Sequence, residues 1–268
     1  TSKEDYVLLS DCDIVCNIPY HDVVEAHIRN QADLTAVYQH GIIPQHMSEP
    51  TVYSVKENGA LRDMLIHPKV DGPCNYGLNM YVINRPLLIE LIEDCVSRNM
   101  YNFNRDFIQR NMFQYRFYCY EFKGYSKVIC STQDYFQANM DLLKRESGLN
   151  LYEDDWKIYS VSPVRPAQYI GPTAKVRNSL VVEGCTVHGT VENSVLFEGV
   201  TIGKNSVIRD SVIMTGAKIG ENVTIEKAII GSESIVRRDC KVGNGNSIAV
   251  IASKEEVKSG TVLEALEA

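Results

Sequence analysis

Four near-copies of one short phrase constrain this chain more than anything else in it. Asn178-Ser-Leu-Val-Val-Glu-Gly184 is echoed by Asn193-Ser-Val-Leu-Phe-Glu-Gly199, by Asp210-Ser-Val-Ile-Met-Thr-Gly216 and, more faintly, by Lys227-Ala-Ile-Ile-Gly-Ser-Glu233. The steps are fifteen, seventeen and seventeen residues long. Within them apolar residues recur at intervals of six, six and five: Leu196, Ile202, Ile208, then Ile213, Ile219, Ile225, then Ile230, Val236, Val242. One inward residue per six, three per coil, describes a triangular prism. This is the pattern of a hexapeptide parallel β-helix, in which only the next coil can cover the apolar ladder of the one before. About four coils at roughly 4.8 Å spacing predict a rod of about 20 Å. Gly203 and Gly220, directly after Ile202 and Ile219, are expected to turn tight corners. The open ends and flat faces of such a rod invite oligomerisation, including self-association.

Upstream, strand and helix patterns alternate. Tyr6-Val-Leu-Leu9 is a short apolar run of the buried parallel-strand kind. It follows so soon after Thr1 that an N-terminal piece is expected to lie outside this sequence. Pro19 to Asn30 reads as a helix, with Val23, Val24, His27 and Ile28 on one face, and Asp33 to Tyr38 as a strand. Thr51 to Glu57 and Ala60 to Ile66 flank Asn58-Gly59, a hairpin signal. Pro86 opens a helix whose Leu87, Leu88, Leu91, Ile92, Cys95 and Val96 form a broad apolar face. Tyr115 to Phe122 alternates like a half-buried strand, and Ser131-Thr-Gln-Asp134 resembles a cap before a helix over Tyr135 to Glu146. The alternation predicts an α/β domain with a mainly parallel sheet and helices on both faces. The expected layout is an α/β domain over 1–147, a linker over 148–169 carrying Trp156, Pro163 and Pro166, and a β-helix with a C-terminal tail over 170–268.

Composition narrows the partners. A net charge of -7 gives no long-range attraction toward nucleic acid or anionic lipid. No apolar run approaches the ~20 residues needed to span a bilayer, and the first residues show no signal-peptide pattern, so the chain reads as cytoplasmic. Eight cysteines lie singly in apolar stretches without CxxC pairs, and the six histidines are scattered, so a transition-metal site is not expected. The cysteines read as small buried hydrophobes.

An α/β domain followed by a hexapeptide β-helix is the layout of sugar-nucleotide pyrophosphorylases, and one run makes the resemblance specific. Gly124-Tyr-Ser-Lys-Val-Ile-Cys-Ser-Thr-Gln-Asp-Tyr-Phe-Gln-Ala-Asn-Met-Asp-Leu-Leu143 resembles the Gly-Tyr-Trp-x-Asp-Val-Gly-Thr…Glu-Ala-Asn-Met-Asp-Leu-Leu signature of ADP-glucose pyrophosphorylase, that is, glucose-1-phosphate adenylyltransferase. Tyr6 to Tyr20, Asn102 to Gln109 and the repeats extend the likeness over nearly the whole chain. The resemblance implies a partial nucleotidyltransferase domain of Rossmann-like type and a β-helix of left-handed sense. It also implies a place in glycogen synthesis, where ATP and glucose 1-phosphate give ADP-glucose and pyrophosphate. Such chemistry needs a divalent cation, usually Mg²⁺, to neutralise a sugar phosphate attacking a triphosphate.

Several family positions depart from that pattern. Of the two aspartates that hold the cation in the family, the first corresponds to Asp13, with Cys12 where the motif has glycine; the second corresponds to Val128, with Cys130 at the following glycine. The Glu and Lys that contact the sugar phosphate correspond to Ile66 and His67, and the Ser-Met-Gly segment that backs the glucose reads Gly77, Leu78, Asn79, while Tyr81 fits. No Gly-rich phosphate loop opens the chain. This set of substitutions is similar to the degenerate GlgD-type branch of the family, which implies a regulatory subunit acting with a catalytic partner in a hetero-oligomer. Binding of Mg²⁺ by this chain itself is doubtful on the same grounds.

Other readings stand beside this one. Asp13 serves equally as a turn cap at a strand end, and Asp11 as a solvated loop charge or a substitute acid. With Asp11 and Asp13 as its acids, the chain would be an active sugar-phosphate nucleotidyltransferase. His188, in Val187-His-Gly-Thr190, raises the hexapeptide acyltransferases, which use a histidine base. Lys123, Lys127 and Arg105 could face phosphates or simply solvent.

Overall fold

A computed structural model describes residues 3–151, 157–159 and 164–264. It contains two compact units, the first ending at Ser131 and the second beginning at Thr132.

The first unit is a sheet with helices on both faces. Its strands are β1 (Tyr6–Ser10), β3 (Leu34–Gly41), β4 (Thr51–Val55), β5 (Leu61–Ile66), β6 (Cys74–Asn84) and β7 (Phe117–Glu121). A separate two-stranded ribbon pairs β2 (Ile14–Cys16) with β8 (Ser126–Val128). The helices are α1 (Tyr20–Arg29) and α2 (Arg85–Ser97), followed by a π-helical turn at Phe103–Gln109. The large sheet runs β5-β4-β6-β3-β7, with β1 also on β6. Along β6, Tyr81 and Ile83 join the core under α2 with Leu34, Leu87 and Leu91, while Leu78, Met80 and Val82 join the core under α1 with Val23 and Val37. A strand buried on both faces is apolar almost throughout, which is why β6 shows no alternation.

Two expectations need correction. The sheet is mixed rather than mainly parallel: β3 and β7 are parallel, but β1, β3 and β4 all run antiparallel to β6. β4, β5 and β6 follow one another through short turns, and parallel neighbours need a crossover of a dozen or more residues. β1 is also not a buried parallel strand, since Val7 and Leu9 pack on the core while Tyr6 and Leu8 are 37% and 41% exposed. The Asn58-Gly59 hairpin is present, with Gly59 at φ +82.

The second unit is the β-helix. Its three faces hold six, five and six strands, every pair parallel. All nine predicted inward residues, from Leu196 to Val242, are buried in one core. Six strands on two of the faces, rather than about four, make the rod roughly 24 Å long. The end coils, with Tyr169–Ile170 and Val262–Leu263, were hidden because their apolar ladder is weak. The last step is twenty-one residues, Lys241 pairing with Val262, the extra length falling in the Gly243–Ile248 segment.

Gly203 and Gly220 do not turn the corners. A Cβ on Gly203 would lie 2.3 Å from the Gly220 carbonyl oxygen, and one on Gly220 would lie 2.8 Å from the Arg238 nitrogen. Glycine is needed there because coils approach closely. The corners belong to stacked residues at positive φ: Asn178, Asn193, Asp210 and Lys227 at one, Asn205, Asn222 and Asp239 at another. Side-chain amides bond up these stacks, Asn178 to Asn193 at 2.9 Å and Asn222 to Asp239 at 3.0 Å. Asparagine suits this role because it tolerates left-handed backbone and brings its own donor and acceptor.

Helix α3 (Thr132–Asp141) is shorter than the predicted 135–146 helix at its C-terminal end and starts three residues earlier. Its Phe136 and Met140 pack on Val195, Val212 and Ile229 of the β-helix. The boundary therefore falls at 131/132 and not at 147/148, because α3 finds its apolar cover on the rod. Pro166 already belongs to the rod's hydrogen bonding, its carbonyl accepting from Gly184 N–H at 2.7 Å. Trp156 and Pro163 lie outside the described residues.

Candidate functional site

A cleft of about 440 Å³ opens in the first unit, between the end of β1, the middle of β6 and the π-helical turn. Ser10 closes β1, and Asp11 follows it, its N–H donating to the Asn79 carbonyl at 3.3 Å. β6 presents Asn79 and Tyr81 two residues apart, hence on one face. Asn79 sits at φ +50, a conformation that asparagine tolerates better than most residues. The π-helical turn, its first residues held by the Asn102 side chain accepting from Arg105 N–H at 2.8 Å, brings in Phe103 and Asn104.

Tyr81 organises the floor. Its hydroxyl donates to Asn104 Oδ1 at 2.8 Å and lies 3.5 Å from the Tyr53 hydroxyl. Burial pushes the Tyr53 phenol up to about 12 and Tyr81 well above its ordinary value, so both remain neutral hydrogen-bonding groups. Glu49 stands at the rim, accepting from Asn102 Nδ2 at 3.2 Å, with His67 Nε2 at 3.9 Å. Among the described residues lining the cleft, two are carboxylates and none is Lys or Arg. Such a lining can hydrogen-bond hydroxyl groups, but it offers no side-chain cation to a phosphate.

Of the predicted positions, the structure brings some together and separates others. Asn79 lines the cleft, but Leu78 is fully buried in the core on the opposite face. Gly77 is packed so closely that a Cβ would lie 2.4 Å from Thr51 Oγ1. Ile66 turns into the core under α2, and His67 is exposed at φ +51. Ser48, Glu49 and Asn104 went unrecognised by sequence reasoning. Only Asn104 carried a signal, within the Asn102–Gln109 likeness.

Asp13 and Val128 meet at the β2–β8 ribbon. Ile14 pairs with Val128, and the Ile129 N–H donates to the Asp13 carbonyl at 2.7 Å. Opposite residues of a ribbon share a face, so Ile14 and Val128 do, while Asp13 lies in the bend just before β2. Val128 is 3% exposed, and Asp13 Oδ1 is buried without a hydrogen-bond partner among the described residues. Among those residues, no group of three or more His, Cys, Asp or Glu is placed to hold a metal ion. The residues present thus do not fit a two-carboxylate Mg²⁺ holder. Position 128 has no oxygen to give, which leaves Asp13 as a single carboxylate there.

The remaining candidates have ordinary environments. Arg105 pairs with Asp106 at 3.0 Å, and Lys123 with Glu121 at 3.7 Å. Lys127 pairs in register with Val15. His188 rests its ring against Tyr169, centroids 5.8 Å apart, on the β-helix. Of the cysteines only Cys185 and Cys240 are buried, Cys12 is exposed and the other five are half-buried, so the expectation of uniformly buried thiols is corrected. Among the described residues no helix is long and apolar enough to cross a membrane.

A mixed α/β unit with a polar cleft beside its central strand, continued by a hexapeptide β-helix, defines a nucleotidyltransferase of the sugar-nucleotide class in architecture. A family model described as GlmU-like, C-terminal hexapeptide, matches residues 166–262. The glucose-1-phosphate adenylyltransferase of Clostridium beijerinckii is 44% identical over 271 residues, covering 97% of this chain and 68% of its own length. That of Clostridium botulinum strain Alaska E43 is 42% identical over 266 residues with the same coverages, and that of Acetivibrio thermocellus 34% identical over 249 residues, covering 91% of this chain and 58% of its own. The chain belongs to the glucose-1-phosphate adenylyltransferase family.

Proposed function

We propose that this chain is a non-catalytic or weakly catalytic regulatory subunit of a glucose-1-phosphate adenylyltransferase, acting in glycogen biosynthesis. Its partner subunit performs the conversion of ATP and glucose 1-phosphate to ADP-glucose and pyrophosphate, and this chain raises that subunit's rate in a mixed oligomer. The observation that carries the reading is Val128, sealed at 3% exposure where the family's second metal-holding carboxylate is expected. Two further features support it: Ile66 is committed to the core, and the cleft lining contains no side-chain cation among the described residues. A lost charge-assisted contact to a reacting phosphate costs about 2–4 kcal/mol of transition-state stabilisation, so several together suppress turnover by orders of magnitude. Any Mg²⁺ used in the reaction is then held by the partner's residues.

The test is co-purification with the catalytic homologue from the same cell, followed by assay of that homologue with and without this chain. A stable complex with a raised rate supports the reading; no association and no change in rate would sink it.

Two observations favour a second reading, an active nucleotidyltransferase. Asp13 Oδ1 is buried and unpartnered, and Asp11 lines the cleft, so both acids are available for a rearranged cation site. That reading requires turnover by the purified chain alone.

A further inference from the structure

We propose that the cleft of the first unit is a binding site for one unphosphorylated sugar unit, an uncharged ring of neighbouring hydroxyls. This deepens the regulatory reading and rests on it, in that a cleft with no adenylyl transfer to perform holds a ligand it does not turn over. The lining sorts into donors, acceptors and an apolar wall. Tyr81 sets the donors: its hydroxyl lies 2.8 Å from Asn104 Oδ1 and 3.4 Å from Asn79 Oδ1, so both carboxamide oxygens turn toward the phenol and both Nδ2 groups turn away from it. Asn104 is only 9% exposed, yet it lines the cleft, and its Nδ2 has no hydrogen-bond partner among the described residues. A buried amide donor left open at a cleft wall is a group that awaits an acceptor from a ligand.

The acceptors are the carboxylates of Asp11 and Glu49. A sugar hydroxyl both donates and accepts, so carboxylates and carboxamide N–H groups around one cleft satisfy neighbouring hydroxyls from both sides. Phe103 supplies the wall for the C–H groups of the ring, fixed by stacking on Phe107 at 4.6 Å and by tilting against Tyr81 at 5.2 Å. The same lining turns phosphate away. Among the described residues it has no Lys or Arg to pair with a phosphate, and its two carboxylates repel one. His67, which approaches Glu49 at 3.9 Å, is not among the lining residues. The volume, about 440 Å³, lies at the small end of the roughly 300–1,000 Å³ that ligand sites occupy, which suits one sugar ring better than a sugar nucleotide. A free monosaccharide and the end of a glucan share this chemistry.

The experiment titrates the purified full chain with D-glucose, maltose and D-glucose 1-phosphate, followed by ligand-observed saturation-transfer NMR, with neither ATP nor Mg²⁺ present. Glucose is expected to saturate with a Kd of about 1–10 mM, in keeping with so small a ligand, and glucose 1-phosphate to bind at least about tenfold more weakly. Maltose binding more tightly than glucose supports the proposal with a glucan end as the source, and maltose binding more weakly supports it with a free monosaccharide. Asp11→Ala changes an exposed side chain and keeps the backbone bond to Asn79, and it is expected to weaken glucose binding about fivefold. Glu49→Lys, also at an exposed position, is expected to bring glucose 1-phosphate to parity with glucose or better. The proposal is overturned if wild-type protein binds glucose 1-phosphate as tightly as glucose, or if no sugar saturates below about 100 mM. It is equally overturned if Asp11→Ala binds glucose like wild type, or if Glu49→Lys leaves the preference between the two ligands unchanged. With no partner subunit in the tube, failure here leaves the rate-raising role standing, and failure to find a partner complex leaves sugar binding standing.

Discussion

The carbonyl of Asp13 accepts the Ile129 N–H at 2.7 Å, one step beyond the Ile14–Val128 pair that ends the ribbon. Val128, the residue paired with Ile14, is packed at 3% exposure. Restoring an acid at 128 still leaves Ile66 and His67 where the family's sugar-phosphate charges are expected, Ile66 being packed on the core. Val128→Asp is expected to leave ADP-glucose synthesis by the chain alone at trace level, and to lower the melting temperature, since an unpaired buried carboxylate costs several kcal/mol. Coupled assay and thermal melting check both. Revived turnover from this one change would contradict the account of the sugar-phosphate positions.

In the β-helix, Ile219 lies inside the prism and Gly203 lies against the next coil. Ile219→Asp is expected to cost several kcal/mol by burying an unpartnered charge. Gly203→Ala forces a methyl group to within 2.3 Å of the Gly220 carbonyl oxygen, so it too is expected to destabilise, by about 1–3 kcal/mol. Melting of each variant measures the loss. A wild-type transition in Ile219→Asp would refute the inward assignment.

Asn222 stands at φ +56 in the middle of a corner stack, donating to Asp239 and accepting from Asn205. Asn222→Ala loses both bonds and keeps a Cβ in left-handed backbone, for an expected cost of about 1–2 kcal/mol. Asn222→Gly loses the bonds but relieves the backbone, so it is expected to be the milder of the two. Denaturant unfolding ranks them; equal losses would mean that backbone conformation contributes nothing at this corner.

His27 gives the first unit a pH dependence. It is 1% exposed, with Nδ1 2.9 Å from Thr35 Oγ1 and Nε2 3.1 Å from Asn84 Oδ1. Burial lowers its pKa, outweighing the Asn84 hydrogen bond and the Asp33 charge, which act in the opposite direction. An unfolded imidazole takes up its proton near pH ~6.5, while the folded one does so only at lower pH. Between those values the unfolded chain binds more protons, so His27's contribution to stability is complete above about pH 6.5 and is lost as pH falls toward the folded value. Melting curves between about pH 7.5 and 5.5 should show a slope that His27→Gln reduces. An unchanged slope would place the proton uptake elsewhere.

How much of this was legible beforehand depends on whether a residue's role is local or relational. The inward ladder from Leu196 to Val242 was readable because each coil repeats the same burial, and the Asn58-Gly59 hairpin because turn chemistry is local. The corner stacks were misassigned to Gly203 and Gly220. A glycine looks the same in sequence whether it supplies positive φ or makes room for a neighbouring coil. β6 escaped recognition because burial on two faces removes the alternation that marks a strand, and with it went the sheet's antiparallel centre. The placement of α3 on the rod is not legible in the sequence, because nothing in Phe136 or Met140 says which surface will cover them. The cleft was legible only through Asn79 and Tyr81; Glu49 and Asn104 arrive from segments whose convergence is a property of the fold.

The most direct measurement is ADP-glucose formation by the full chain, purified free of any second subunit, with saturating ATP, glucose 1-phosphate and Mg²⁺. The account predicts a trace rate at most, orders of magnitude below that of the catalytic relative assayed in parallel. Robust turnover by this chain alone would contradict it.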